Sequence, residues 1–260
     1  MTITVENIGF AYPGNETVFS EFSFRVDRGE TLAIIGPSGG GKTTLLYLLA
    51  GLQKPLSGQV YINGSALHRP RPENGLILQD HGLLPWATVR ENVALGLKIR
   101  RFYGPDGRHS PDDFIIDQAL AEEKIAYWLE RLDIADLVHK YPTQLSRGQR
   151  QRTAIARTMT LDPDVLLMDE PFSALDAPTS DRLQDLVSGL AHESDLTTVI
   201  VTHHIAEAVR MGNRILVIRR GINRHAHMVP NAGCGDIFRR NPDVFNQQCE
   251  TIRSLLEKAR

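Results

Sequence analysis

The chain has 260 residues and a formal net charge of −2; 42 % of the residues are hydrophobic and 23 % are charged, which is typical of a globular protein. A chain of this length can bury a full core, either in one large domain or in one domain with an inserted lobe. The near-neutral charge gives no support for a nucleic-acid-binding protein, and two cysteines are too few for a disulfide framework. Because no run approaches the roughly 18 apolar residues of a membrane span and the N-terminus lacks the pattern of a signal peptide, we expect a cytoplasmic protein.

Short strands separated by turns are predicted over residues 1–35. Residues 2–5 and 22–26 alternate between apolar and polar side chains, and Tyr12-Pro13-Gly14-Asn15 is typical of a turn. Tyr12 is predicted at a strand end, where an aromatic ring either packs in the turn or stacks on a nucleobase.

The stretch after these strands matches the phosphate-loop pattern G-x-x-x-x-G-K-[ST] at every specified position. An apolar strand precedes the pattern and a leucine-rich helix follows it, which is the context that the motif requires. Glycines let backbone N–H groups converge on one phosphate chain, Lys42 reaches the β- and γ-phosphates, and the Thr43 hydroxyl is placed to bind Mg²⁺. The predicted nucleoside triphosphate site comprises Gly36, Pro37, Ser38, Gly39, Gly40, Gly41, Lys42, Thr43 and Thr44.

The segment after the first helix predicts two further strands. Residues 59–62 with Asn63-Gly64 indicate a strand and a tight turn, and residues 76–78 indicate a short buried strand that ends at Gln79. A polar side chain at the carboxyl edge of a sheet faces the ligand crevice, so Gln79 is a candidate site residue.

A helical lobe is predicted from Leu83 onward. Residues 83–86 form an exposed apolar cluster, and a helical run through Leu97 and a loop rich in glycine, proline and charge follow it. Apolar residues at helical spacing from Ala121 to Leu132 predict an amphipathic helix, and Ser146 is suited to cap another helix over residues 150–159.

Apolar strands at 165–168, 198–201 and 214–218 alternate with helical segments, which predicts a parallel sheet with helices on both faces. Asp169 and Glu170 follow the first of these strands, at the edge of the sheet where a triphosphate would lie. Asp169 is suited to the Mg²⁺ shell, Glu170 to polarising the attacking water, and His203, after the next strand, to bonding the γ-phosphate. Beyond Gly221 only a short helix near residues 252–258 is predicted.

These motifs together resemble the ATP-binding cassette (ABC) ATPases. The phosphate loop, the Gln79 loop, LSRGQ at 145–149, VLLMDE at 165–170, SALD at 173–176 and VTHH at 201–204 occur in the order of that family. LSRGQ is the discriminating motif, because other phosphate-loop NTPases lack it. The tract that contains Gln79 and Trp86 is similar to the import ATPases of the nitrate, sulfonate and taurine group.

The resemblance implies an α/β fold of the RecA-like phosphate-loop NTPase type. Its mainly parallel sheet would carry an N-terminal antiparallel β subdomain and an inserted helical subdomain at about 83–160, within an ATPase domain over 1–220 and before a short extension over 221–260. ATP and Mg²⁺ are the implied cofactors. The implied roles are adenine stacking by Tyr12, contact with Mg²⁺ by Gln79, general base by Glu170 and contact with the γ-phosphate by His203.

The resemblance also implies partners. Two copies of the chain would form a homodimer in which Ser146, Gly148 and Gln149 close over the ATP of the second subunit, with Asp176 at the dimer seam. Transmembrane permease subunits would hold the dimer on the cytoplasmic face of the membrane, and a solute-binding protein would deliver the solute. No nucleic-acid partner is expected.

The sequence departs from the family pattern at two positions in these motifs. Arg147 stands where the family usually has glycine, and His204 stands where aspartate is common. Two other functions stay open at this point: a soluble ABC ATPase acting in DNA repair or on ribosomes, and a phosphotransferase acting on a small metabolite. The second of these gives no role to LSRGQ.

Overall fold

The computed structural model describes residues 2–14, 16–102, 117–232 and 241–259, and it contains two sheets. The first sheet is antiparallel, with the strand order β2-β1-β4-β5, and confirms the predicted N-terminal β subdomain. Its strands are β1 Ile3–Ala11, β2 Thr17–Val26, β4 Ser57–Ile62 and β5 Ser65–Ala66. The turn between β4 and β5 has positive φ at Asn63 and Gly64, as a two-residue hairpin requires.

The second sheet has the strand order β10-β9-β3-β8-β7-β6, in which β3 and β6 to β9 pair in parallel and β10 is antiparallel to β9. Its strands are β3 Thr31–Ile35, β6 Asn74–Ile77, β7 Val165–Asp169, β8 Thr197–Thr202, β9 Arg214–Val217 and β10 His227–Pro230. The predicted parallel sheet is therefore confirmed, with an additional antiparallel edge strand.

Helices cover both faces of this second sheet. They are α1 Lys42–Leu49, α2 Val89–Phe102, α3 Gln118–Arg131, α4 Arg147–Met159, α5 Ala177–Glu193, α6 Ile205–Met211 and α7 Pro242–Glu257. In β3, Leu32 and Ile34 pack toward α1 and the antiparallel sheet, whereas Ala33 and Ile35 pack toward α6 and α7. Because both faces of the strand are buried, its sequence is continuously apolar rather than alternating.

The helices α2, α3 and α4 pack together as the helical lobe that the sequence predicts. The amphipathic pattern of α3 is confirmed, because Ile125, Trp128 and Leu129 are buried against α2 and α4. In the described ranges, none of the helices is both long enough and apolar enough to cross a bilayer.

Several predicted boundaries are wrong. The helix α4 begins at Arg147 rather than at residue 150, because Ser146 and Gln149 form a capping box that starts the helix earlier. The helix α2 continues past Leu97 to Phe102, and β6 and β9 each end one residue before the predicted end. Residues 103–116 of the predicted insertion over 98–117 lie outside the described residues.

The region after Gly221 contains more structure than the sequence predicts. The strand β10 pairs with β9, from His227 opposite Val217 to Pro230 opposite Arg214. The helix α7 has 16 residues and begins ten residues before the short helix predicted near residues 252–258, and it buries Ile252 against the sheet and α6. Both elements depend on long-range contacts with the parallel sheet and α6, so local sequence patterns do not reveal them.

Candidate functional site

The phosphate loop connects β3 to α1. Gly41 is the residue before α1 and has φ 101°, a left-handed conformation in which a residue with a Cβ atom is strained. The Lys42 ammonium group folds back over the loop and donates hydrogen bonds to the carbonyl oxygens of Gly36 at 3.0 Å and Pro37 at 3.1 Å. Burial lowers the pKa of Lys42, and the nearby Glu170 and Asp169 carboxylates oppose this change. The loop is therefore curled around an ammonium group that can turn toward a phosphate.

A hydrogen bond between two oxygen atoms joins the start of α1 to the end of β7. The Thr43 hydroxyl donates a hydrogen bond of 3.3 Å to Oδ1 of Asp169, which is only 5 % exposed. Burial raises the pKa of Asp169; the adjacent Glu170 acts in the same direction, and Thr43 and Lys42 act against it. A buried carboxylate beside a hydroxyl is an oxygen-donor set of the kind that hard divalent cations prefer.

Three residues predicted from separate motifs lie together at the carboxyl edge of the parallel sheet. Oε2 of Glu170 is 3.0 Å from Nδ1 of His203 and accepts a hydrogen bond of 3.3 Å from Nε2 of Gln79. They follow β7, β8 and β6, which are neighbours in the sheet, so the strand order brings the side chains to one place. Glu170 has φ 47°, which is unusual for a residue with a side chain and is often found at functional sites.

The backbone around these residues is held by further hydrogen bonds. The Glu170 N–H donates to the carbonyl oxygen of Val201 at 2.9 Å, and the His204 N–H donates to the Thr202 hydroxyl at 3.0 Å. The rings of His203 and His204 are in contact, with centroids 4.0 Å apart. The His204 ring therefore packs against the His203 ring.

Tyr12 lies beside the phosphate loop at the rim of a cavity of about 550 Å³ that Lys42 and Thr43 also line. Its hydroxyl is 3.0 Å from the Thr44 hydroxyl, and its ring packs edge-on against Phe10 with the centroids 5.0 Å apart. The residue is 37 % exposed, so part of the ring is open to a ligand.

The LSRGQ motif, residues 145–149, is called the signature from here on. It lies at the N-terminus of α4. The Ser146 hydroxyl accepts a hydrogen bond from the Gln149 N–H at 3.2 Å, and the Gln149 side chain accepts one from the Ser146 N–H at 2.9 Å. Gly148 is buried in the first turn. Among the described residues that line the cavity at Tyr12 and Lys42, none belongs to the signature. Among the described residues, no hydrogen bond or ion pair joins the signature to the phosphate loop of the same chain.

Arg147 of the signature is directed along the molecule toward the segment 173–176. Its Nη1 donates a hydrogen bond of 3.2 Å to the carbonyl oxygen of Ala174. Asp176, two residues further on, caps α5 by accepting hydrogen bonds from the N–H and hydroxyl of Thr179 at 3.2 and 3.0 Å. These Thr179 bonds lower the pKa of Asp176. The signature and Asp176 are thus joined on one surface.

Three residues at this site were missed from the sequence. Glu16 and Arg220 line the same cavity as Tyr12, and the buried Asn223 donates a hydrogen bond of 3.2 Å to the carbonyl oxygen of Gly40. Glu16 follows a predicted turn, and the other two lie at the start of the region without a local pattern. No motif identifies them, because their positions depend on strands distant in the sequence.

Comparison with known proteins agrees with this geometry. The family described as ABC transporter matches residues 19–173. The chain is 34 % identical to the aliphatic sulfonates import ATP-binding protein SsuB of Bacillus cereus, covering 84 % of this chain and 81 % of the relative. It is 36 % identical to the nitrate import ATP-binding protein NrtD of Synechococcus elongatus, covering 82 % of this chain and 75 % of the relative.

A solved structure agrees at the level of the whole cassette. The dimeric post-hydrolysis state of the ATP-binding cassette MJ0796, bound to ADP and Pi, superimposes with a TM-score of 0.73 at 27 % identity, covering 88 % of this chain and 98 % of that chain. The chain belongs to the ABC transporter family and is an ATP-binding, ATP-hydrolysing cassette.

Proposed function

We propose that this chain is the ATP-hydrolysing subunit of an importer, and that it dimerises on ATP to drive solute uptake through separate membrane subunits. The observation that carries the proposal is the separation of the site on one chain. Lys42 of the phosphate loop lies near the carboxylates of Glu170 and Asp169, and His203 contacts Glu170, whereas among the described residues no hydrogen bond or ion pair joins the signature to the phosphate loop. The names of the relatives, which are import ATP-binding proteins for sulfonates and nitrate, support the direction of transport.

The nucleotide is assigned to the cavity between Tyr12 and the phosphate loop. The adenine ring would stack on the exposed part of Tyr12, and the N–H groups of residues 36–44 would bind the phosphates. Lys42 would leave its two carbonyl partners for the β- and γ-phosphates. Because the triphosphate carries several negative charges, this exchange is favourable for a partly buried ammonium group.

The residues at the end of β7 fit Mg²⁺. Octahedral oxygen ligands at about 2.1 Å from Mg²⁺ lie about 3.0 Å from each other, close to the 3.3 Å between Thr43 Oγ1 and Asp169 Oδ1. Thr43 and Asp169 would hold the ion, Asp169 directly or through a water molecule, and Gln79 would contribute a further contact. When bound, the ion neutralises charge on the β- and γ-phosphates.

Glu170 is assigned as the general base and His203 as its positioning partner and γ-phosphate contact. The carboxylate is within hydrogen-bonding reach of both His203 and Gln79, so two neighbours fix its orientation. In this position it accepts a proton from a water molecule that attacks the γ-phosphate. Binding the γ-phosphate recruits the His203 ring to the nucleotide and opens Glu170 to the water.

The second half of each site is assigned to another copy of the chain. The 13-residue helix α4 begins directly after Ser146, and its positive N-terminal end, with Gly148 in the first turn and the side chains of Ser146 and Gln149 beside it, is an anion-binding group. A two-fold symmetric dimer would place it on the γ-phosphate of the partner and would hold two nucleotides. Asp176, joined to the signature through Arg147 and Ala174, then lies at the seam. Hydrolysis removes the γ-phosphate bridge and the two halves separate.

The segment from Gln79 to Trp86 is assigned as the docking site for the membrane subunit. Trp86 is 74 % exposed, yet its segment is held rigidly: Arg157 of α4 donates hydrogen bonds to the carbonyl oxygens of Gly82 at 2.6 Å and His81 at 2.8 Å. The buried Asn92 binds the backbone of the same segment at Leu84. A partner that moves Trp86 would therefore move both Gln79 and the signature helix.

These assignments imply a cellular arrangement. The dimer would sit on the cytoplasmic face of the membrane through permease subunits, and a solute-binding protein would supply the solute; no nucleic acid is involved. The domain division proposed is an ATPase domain over 1–220 with the helical subdomain 83–160 inserted in it. The packing of α2, α3 and α4 on one another supports this insertion. Residues 221–260 would complete the ATPase core through β10 and α7.

Trp86→Ala is expected to leave the basal ATPase rate of the purified chain within about twofold of wild type, because an exposed residue away from the nucleotide cavity contributes little to it. The same variant should lose co-purification with the permease and the stimulation of ATPase activity by the loaded complex. A pull-down and an ATPase assay in detergent measure both effects.

The matched control is Val244→Ala, which truncates another exposed apolar residue, 46 % exposed, on α7. This control should co-purify normally. If Trp86→Ala binds the permease and is stimulated as well as Val244→Ala, the docking assignment is wrong.

A further inference from the structure

The turn after β9, residues 219–223, is attached to the phosphate loop. The side-chain amide of Asn223, which is 4 % exposed, donates to the carbonyl oxygens of Gly40 and Arg219, both at 3.2 Å, and its Oδ1 accepts a hydrogen bond from the Arg219 N–H at 2.9 Å. Val18 of β2 accepts a further hydrogen bond from the Asn223 N–H at 2.9 Å. One buried amide therefore joins this turn, β2 and the phosphate loop.

The contact between the turn and the loop is close as well as hydrogen-bonded. A Cβ atom at Gly40 would lie 3.0 Å from the carbonyl oxygen of Arg219, so the two backbones touch where a side chain would separate them. From the other side, the Arg220 N–H donates a hydrogen bond of 3.1 Å to the carbonyl oxygen of Ala259, just after α7. The turn is held between the phosphate loop and the C-terminal helix, so its backbone has a fixed position relative to the nucleotide cavity.

Arg220 is one of the residues that line the nucleotide cavity. It lines the same space as Gly39, Gly41 and Lys42, whereas its neighbour Arg219 does not, although both are exposed. Among the described residues that line this cavity, Lys42 and Arg220 are the cations and Glu16 is the acid. A guanidinium group beside glycines whose N–H groups bind phosphate is complementary to a triphosphate, because it forms paired, charge-assisted hydrogen bonds with phosphate oxygens.

We infer that Arg220 is a nucleotide-binding residue that contacts the phosphate groups of the bound nucleoside triphosphate, and that Asn223 positions it. The inference rests on the nucleotide site assigned above. Arg220 lines the cavity at the phosphate loop, and Glu170 and His203 do not line it, so we expect Arg220 to contact the nucleotide equally in the ground state and the transition state. An interaction of that kind changes affinity and KM but not kcat.

The test compares Arg220→Gln with Arg219→Gln, which removes the same charge one residue away. Calorimetric titration should give a Kd for ATP about tenfold higher in Arg220→Gln, as for the loss of one charge-assisted contact, and within about twofold of wild type in Arg219→Gln. The KM should follow the Kd while kcat stays unchanged. Arg220→Lys should recover part of the affinity for ATP. Asn223→Ala should also raise the Kd for ATP, and its thermal midpoint is measured to check that the variant is folded.

Titration with GTP separates a phosphate contact from a base contact. If Arg220 contacts phosphate, Arg220→Gln weakens the binding of ATP and of GTP by the same factor. A loss of affinity that is confined to ATP contradicts the inference. Equal Kd values for Arg220→Gln, Arg219→Gln and the wild type also overturn it, while leaving the proposed function intact. Failure of the wild-type chain to bind and hydrolyse ATP would instead remove the proposed function.

Discussion

Glu170→Gln is expected to slow ATP hydrolysis by about 10²–10⁴-fold, the range for loss of a general base, while the Kd for ATP stays near the wild-type value. Glutamine keeps the shape of the side chain and its hydrogen-bonding to His203 and Gln79, but it does not accept a proton from water. Because ATP remains uncleaved, the variant should also accumulate as an ATP-bound dimer. Single-turnover kinetics and size-exclusion chromatography with and without ATP measure the two effects.

The control for this variant is Glu73→Gln, which removes a carboxylate that pairs with Arg71 at 3.5 Å at the opposite end of the parallel sheet. It should hydrolyse ATP at the wild-type rate and dimerise only transiently. Normal turnover by Glu170→Gln would remove the assignment of the base. Another group at this edge of the sheet would then have to accept the proton.

Ser146→Asp is expected to reduce ATPase activity at least as strongly, about 10²-fold or more, since removal of a transition-state donor alone has that effect and a carboxylate adds repulsion of the γ-phosphate. Aspartate is as good an N-cap as serine, so α4 should remain folded. The Kd for ATP of the monomer should stay near wild type, because the signature does not line the nucleotide cavity of its own chain. Steady-state ATPase assays and nucleotide titration at low protein concentration test both statements.

Ser146→Asn is the matched variant, because asparagine also caps helices well and has nearly the same size as aspartate without its charge. Its activity should lie between those of the wild type and Ser146→Asp, with the same thermal midpoint as the aspartate variant. If Ser146→Asp weakens ATP binding by the monomer as much as it lowers turnover, the signature acts on its own chain's nucleotide and the proposed dimer is wrong.

Much of the core of this protein is predictable from the sequence, for a physical reason. The parallel strands are buried on both faces, so their sequences are continuous apolar runs. The polar residue at the end of each run lies at the carboxyl edge of the sheet, where ligands bind in open α/β sheets. This reasoning predicts Gln79, Glu170 and His203 as site residues, and the structure places the three together because β6, β7 and β8 are neighbours in the sheet. The phosphate loop is predictable because its backbone conformation requires glycine at fixed positions.

The rest depends on contacts that are distant in the sequence. The hydrogen bond from Asn223 to Gly40 joins residues 183 positions apart in the sequence, and no local pattern at either residue predicts it. The strand β10 is stabilised by its hydrogen bonds to β9, and the helix α7 is stabilised by the packing of Ile252 against α6. The direction of Arg147 is another case, since its acceptor, the carbonyl oxygen of Ala174, becomes available only when α4 and the segment before α5 come together.

Mixing the two inactive variants tests the central claim, that each chain completes the nucleotide site of the other. In a mixed dimer of Glu170→Gln and Ser146→Asp, one site carries both substitutions, and the other combines an intact Glu170 with an intact Ser146. Random pairing of equal amounts then restores up to about one quarter of the wild-type ATPase activity, because half of the dimers are mixed and each has one intact site. If the mixture stays as inactive as its components while mixed dimers form, the two halves of the site act within one chain and the account is contradicted.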